Sequence, residues 1–390
     1  MSAELFPSPS PSLAAAAPGT PAAAVAAGAR LAPRLFALAG ATDVAGGFPS
    51  QEFELLREAG LLTATLPAAL GGAGLDTPAA TGPLLELLRH IGRGNLAVGR
   101  LYEGHLNALL LIQQFGSAAQ VARAAAEARA GHLFGVWNTE NPVQGVQLAA
   151  LPAGRYRLLG AKTFASGAGH VSRPLITGAL PEGRGWQLFV LDAEAQPPVL
   201  DCSFWRPLGM RASASFRAEL TGLELAAEDL IGPPNDYYRQ PWFSGGAIRF
   251  AAVQLGGAEA VFDETRRFLR GLGRLDDPYQ RQRLGEMAIL LESGRHWLQG
   301  AARQAAAPAP AATTVAYANM TRTAIEAICL DMLRLAERCV GARGLLQPEP
   351  FERLHRDLTH YLRQPAPDAA LADVGRFVLE QPEPADGIWD

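Results

Sequence analysis

At 390 residues the chain is two to three times the roughly 150 residues of a typical domain, which predicts several packed modules with sizeable cores. Its 34 basic and 38 acidic side chains leave a formal charge of −4 and form no basic run, so the electrostatic footprint that nucleic acid demands is absent. The basic residues are almost all Arg, Lys162 being the only lysine, and this bias reads as genome base composition rather than mechanism.

Residues 1–27 lack the charged start and continuous apolar core of a secretory signal, and their prolines interrupt any spanning helix, so they read as a flexible extension. No later stretch reaches about 20 uninterrupted apolar residues, so a cytoplasmic chain that neither crosses a membrane nor leaves the cell is expected. From 28 to 130 the spacing is helical, as in FELLREAGLL, ATGPLLELLRHIG and GHLNALLLIQQFG, with Gly-rich breaks. From 131 to 241 it changes to short apolar runs bounded by turns, as in YRLLGAKTF, PLITGAL and GWQLFVLD, which predicts a β domain. Helical periodicity returns over 242–378, in IRFAAVQLGGAEAVFDETRRFL, RLGEMAILLESGRHWLQGAARQ and TTVAYANMTRTAIEAICLDMLRLAERCVG, and residues 379–390 form a tail. The fold class is α+β in the order α, β, α, with no internal repeat of solenoid period.

Cys202, Cys329 and Cys339 are odd in number and have neither CxxC nor Cys/His spacing, so no metal site is expected. Ten residues of helix, nearly three turns, hold Cys329 and Cys339 too far apart for a disulfide. Buried, reduced thiols are the expectation.

Five segments in order resemble the acyl-CoA dehydrogenase superfamily, from Phe53 to Phe377: LLTATLPAALGGAG at 61–74, FGVWNTE at 134–140, GAKTFASGAGHVSRPLITG, WRPLGMRASAS, and RCVGARGLLQPEPFERLHRDL. The resemblance implies an N-terminal helical domain, a central β-barrel and a C-terminal four-helix bundle around FAD. An isoalloxazine ring needs a flat apolar contact on one face and hydrogen-bond partners along its polar edge. By motif match these are Phe164, with Thr139 and Ser166; read without the resemblance, they end strands and fill a core. Gly145, in NPVQG, replaces a family serine, and Gln144 is a candidate substitute donor. Arg274 stands loosely where the family has an Arg for the diphosphate. Arg338 stands where it has a Gln, ahead of Gly341. Such sites are shared between subunits, so the resemblance implies a homodimer or homotetramer.

An acyl-CoA dehydrogenase takes an α-proton with a carboxylate, and such a base contributes roughly 100- to 10,000-fold. The resemblance places that Glu at Pro365, and the alternative location, within SGGAIRFAAVQLGG at 244–257, carries no acid. Asp368 and His360 are the remote catalytic candidates, and His105 is a further histidine able to approach a flavin or simply to pack. Oxidation of an acyl-CoA or related thioester with a noncanonical base is the leading expectation. Flavin monooxygenases of the same fold, dibenzothiophene monooxygenase among them, are the alternative, although Gln364 and Pro365 stand where those relatives have a His-Asp pair. A flavin-binding relative without chemistry is the third. Tyr237, Tyr238, Trp242 and Phe243 either line the substrate space or form an interdomain core.

Overall fold

The computed structural model describes residues 18–385 and 387–389. The first helix, α1 (Pro21–Ala45), opens with Pro21 at its first position and the Thr20 hydroxyl accepting from Ala23 N, two ordinary helix-start devices. Residues 21–27 were expected in the flexible extension. They are helical instead, because Ala24 and Ala27 bury one small-residue face; residues 1–17 lie outside the described residues. By length and composition α1 is apolar enough to cross a membrane, but Leu31 and Leu35 are buried on the same side as Ala24 and Ala27, and the helix packs along α3 (Thr81–Gly94). Between them lies α2 (Ser50–Glu58); α4 (Leu96–Phe115) and α5 (Ala118–Ala130) follow. Asn95 caps α4, and a Ser117–Gln120 capping box starts α5.

Ten strands form the middle of the chain: β1 (Phe134–Trp137), β2 (Gln147–Ala150), β3 (Tyr156–Leu159), β4 (Ala161–Ala165), β5 (Arg173–Ala179), β6 (Trp186–Val190), β7 (Val199–Asp201), β8 (Phe216–Glu219), β9 (Glu224–Leu225) and β10 (Leu230–Ile231). The expected barrel takes the form of two sheets. Seven strands run β10-β6-β5-β2-β3-β9 with β1 parallel to β5, and three run β4-β8-β7. The sheets share a core, Leu148, Leu158 and Phe189 of one meeting Ala165, Ala218 and Leu220 near the other, and the central strands β5 and β6 are buried on both faces.

The C-terminal part starts with the short α6 (Trp242–Gly245), then α7 (Ala247–Gly271), α8 (Pro278–Ala306), α9 (Ala311–Gly344), α10 (Pro350–Tyr361) and α11 (Pro367–Glu380). Helices α7, α8, α9 and α11 form the bundle, with α10 laid against α7. The last helix ends at Glu380, and Trp389 of the expected tail stacks on Phe377 at 5.4 Å, returning to the bundle. The helical layers meet at α3 and α7, backbone to backbone: a Cβ on Gly92 would stand 2.3 Å from Val253 O, and one on Gly256 2.1 Å from Arg89 O. Beside this contact the buried Glu259 accepts from Arg89 at 2.6 Å and Arg295 at 2.9 Å, tying α3, α7 and α8 together.

Candidate functional site

Strand β4 pairs with β8 in broken register between Lys162 and Ala165, and Phe164 sits in that irregularity with φ +51°. A bulky residue in left-handed conformation costs about 1–3 kcal/mol and persists only where its surroundings impose it. Here the bulge turns the ring outward, so Phe164 is 47 % exposed although its strand neighbours are buried. Phe204 and Trp205 stand edge-on to it, with centroids at 5.3 and 6.0 Å, and His360 of α10 stands edge-on to Trp205 at 5.5 Å. Burial lowers the His360 pKa, favouring the neutral ring at pH 7. These rings form an open aromatic wall.

Hydroxyls follow directly in sequence. Ser166 Oγ pairs with Ser215 Oγ at 2.9 Å, Ser215 Oγ with Ser213 Oγ at 2.8 Å, and Trp137 Nε1 donates to Ser166 O. Thr139 is exposed beyond β1, and its carbonyl accepts from Thr163 N at 3.0 Å. The structure therefore brings Thr139, Phe164 and Ser166 to neighbouring strand ends.

The loop carrying Trp205 is held by α10. Met210 (φ +60°) and Ala214 (φ +43°) are both left-handed. Met210 N donates to Asp357 Oδ1 at 2.6 Å, Arg356 Nη1 donates to Leu208 O at 3.2 Å, and Trp205 Nε1 donates to Arg211 O. Arg356 is itself fixed by Asp43 of α1 at 2.7 Å and by Glu352. The Arg-Asp pair thus clamps the loop, a role its sequence signature did not disclose. Burial raises Asp357 to about 6, against the pull of Arg353.

On the other side of β4 lies the chain's single lysine. Lys162, fully buried, is paired with Glu140 and donates to Asn138 O and Thr177 Oγ1, both at 3.1 Å. Glu140 Oε2 also accepts from Val146 N at 2.7 Å and would lie 2.6 Å from a Cβ on Gly145. A side chain at that position would have to displace the Glu140 carboxylate. Gln144 is exposed and contributes its backbone, O to Ala161 N and N to Asn141 Oδ1.

The remaining candidates separate. His105 is buried, Nε2 2.7 Å from Leu62 O and Nδ1 3.0 Å from Phe134 N, so it fastens α4 to β1 and does not approach the wall. Pro365 and Asp368 are exposed around the start of α11, and Gln364 donates to Tyr361 O. Arg274 lines a shallow cleft with Arg266, Arg270 and Arg281; Arg338 lines another with Arg283 and Arg334, and Gly341 breaks α9 at φ +59°, ψ −169°. Among the described residues no hydrogen bond or ring contact links these three to Thr139, Phe164 or Ser166. Tyr237 is buried, Tyr238 donates to Asn138 Oδ1 at 3.0 Å, and Trp242 and Phe243 are partly exposed, so this aromatic group is a core with an open rim. Cys329 and Cys339 are buried as expected, but Cys202 is exposed at a short 3-10 turn. Asn138 and Trp205 were missed. Trp205 lies within a recognised motif, and only its contacts mark it.

A two-sheet module with an outward aromatic ring and adjacent hydroxyls, braced between helical layers, defines a flavoprotein oxidoreductase of the acyl-CoA dehydrogenase fold. The acyl-CoA dehydrogenase N-terminal domain family matches residues 26–131 and the C-terminal domain family residues 238–361, together more than half of the chain. The chain belongs to the acyl-CoA dehydrogenase superfamily. It is similar to a dibenzothiophene monooxygenase of Mycolicibacterium goodii, 29 % identical over 386 residues, covering 89 % of this chain and 91 % of the relative. A Pseudomonas putida protein named as a probable FMNH2-dependent monooxygenase is 26 % identical, covering 89 % of this chain and 92 % of that one. Among solved structures, FMN-bound TdsC of Paenibacillus sp. A11-2 superposes with TM-score 0.84 at 21 % identity, covering 94 % of this chain and all of that one, a likeness of fold.

Proposed function

We propose that the chain is a flavin-dependent monooxygenase. The observation that carries this reading is the chemistry of the wall: its neighbours are serine hydroxyls, an indole and an imidazole, and among the described residues no carboxylate hydrogen-bonds to them. Thioester oxidation, the leading expectation from sequence, needs a carboxylate at the substrate's α-carbon, whereas oxygen transfer does not. The relatives' names support the same choice.

The donor set fits a flavin ring. Phe164 presents an uncovered face, Ser166 a hydroxyl at its side and Thr139 an exposed strand end. When bound, reduced flavin supplies electrons to molecular oxygen, one atom entering the substrate and the other leaving as water. Trp205 and Phe204 would limit water beside the ring, and His360, favoured neutral by burial, would be able to accept a proton at a ring nitrogen. FMN is the flavin that the relatives' names carry; if FAD binds instead, its diphosphate falls to Arg274, Arg338 and Gly341 of a second copy.

The test supplies reduced FMN or FAD, dibenzothiophene and 18O2 and reads the product by mass spectrometry. Oxygen-18 in the product is expected. Enoyl-thioester formed from an acyl-CoA panel would overturn the reading in favour of the dehydrogenase, and flavin retention with neither product would favour the inert relative. Phe164→Asn, which tolerates the left-handed backbone, should keep stability within about 1 kcal/mol and weaken flavin binding at least tenfold.

A further inference from the structure

Between α4, α7 and α10 lies a polar group that the aromatic wall does not use. Arg100, Glu103 and Asn107 share one face of α4, Arg249 comes from the first turn of α7, and Tyr361 is the last residue of α10, directly after His360. Arg100 Nη1 donates to Glu103 Oε2 at 3.0 Å, and Arg249 Nη2 donates to Asn107 Oδ1 at 2.5 Å. Arg249 Nε stands 3.7 Å from Glu103 Oε1, beyond hydrogen-bond reach.

The donors outnumber the acceptors. A guanidinium offers five N–H groups, and Arg249 makes one hydrogen bond among the described residues while its Nε is buried without a partner. Tyr361, 3 % exposed, also keeps its hydroxyl buried and unpartnered. A buried donor left without an acceptor is costly. Two Arg against one Glu leave an excess positive charge, on side chains 29 % exposed for Arg100 and 15 % for Arg249. Gly104 brings no side chain into the group, and a Cβ there would meet within 4 Å only Arg100 Nη1, at 3.6 Å. Both phenols nearby, Tyr237 and Tyr361, are held protonated by burial and are therefore donors.

We propose that this group binds the anionic head of a small organic substrate, a carboxylate or sulfinate, with Arg249 as the forked anchor and the Tyr361 hydroxyl as a second donor. An oxyanion has the lone pairs that these donors lack, and a guanidinium presents paired N–H bonds to it. His360 precedes Tyr361 and packs on Trp205, which packs on Phe164; we place the rest of the molecule along that wall. The inference rests on the monooxygenase reading for the reaction, but not for binding.

The test is calorimetric titration of the full chain, reconstituted with oxidised FMN, using benzenesulfinate and the neutral methyl phenyl sulfone. The anion should bind at least tenfold more tightly; Arg249→Met should remove that preference while leaving the sulfone unchanged. Tyr361→Phe should weaken the anion severalfold without lowering the melting temperature, because it deletes an unpartnered hydroxyl. Should Arg249→Met fail to fold, Arg249→Lys keeps the charge, loses the fork, and should give an intermediate loss. Equal binding of the two probes, no binding of the sulfinate, or variants without effect on the anion would overturn the proposal. Flavin fluorescence of the same samples reads separately: anion preference without flavin retention keeps the subsite and sinks the monooxygenase, and the converse does the reverse.

Discussion

His105 shows what a buried residue does when its hydrogen bonds fix its tautomer. Nδ1 accepts from Phe134 N and Nε2 donates to Leu62 O, and burial lowers its pKa from 6.5 to about 4. A depressed histidine contributes stability that is complete above 6.5 and lost as pH falls towards 4, on the order of 3 kcal/mol. Asp357 has the opposite sign: raised from 3.8 to about 6, it contributes stability present below 3.8 and lost as pH rises through 6. The two slopes oppose one another over the same interval. We expect His105→Gln, which retains a donor and an acceptor, to remove the first slope, so that the urea midpoint falls less than in the parent as pH drops from 6 to 4. A variant losing as much stability as the parent on acidification would contradict this assignment of His105.

Among the elements, α10 governs the loop at 205–214 through contacts with almost no slack. A Cβ on Gly209 would stand 2.1 Å from Arg356 O, so Gly209→Ala must push the loop away from the helix. It should cost about 3 kcal/mol, and hydrogen exchange should rise at Met210 ahead of the strands. Such dependence explains which parts of the site were legible beforehand. The order of helices and sheets was readable from the change of apolar spacing along the chain, although β5 and much of α4 are buried on every side. Phe164 and Ser166 came from their motif, but the left-handed bulge that turns the ring outward did not. Trp205 and Asp357 acquire their roles from partners about 150 residues away in sequence, and no local pattern carries that distance. The start of α1 was misplaced because Ala-rich sequence with prolines looks unstructured until α3 covers one side of it.

For the whole molecule, Glu259 links the first helical layer to the bundle. It is buried between two guanidinium groups, and Glu259→Ala removes the buried partner of Arg89, while Arg295 keeps solvent and Glu292. A loss of about 3 kcal/mol, the low end for a broken buried pair, is expected. Because all three modules contribute to one continuous core, the urea transition should shift to lower midpoint while remaining single. Separation into two transitions would show that the helical layers unfold independently.

Lys162 has a practical consequence for anyone handling the protein. With every other side-chain amine absent and this one sealed against Glu140, succinimidyl esters applied to the native protein should couple at the α-amino group and leave the lysine unmodified. A lysine-specific protease likewise has a single cutting point, inside the β module, and should yield two fragments at a rate that follows the open population rather than surface exposure. The sequence thereby carries a built-in reporter of unfolding that needs no label.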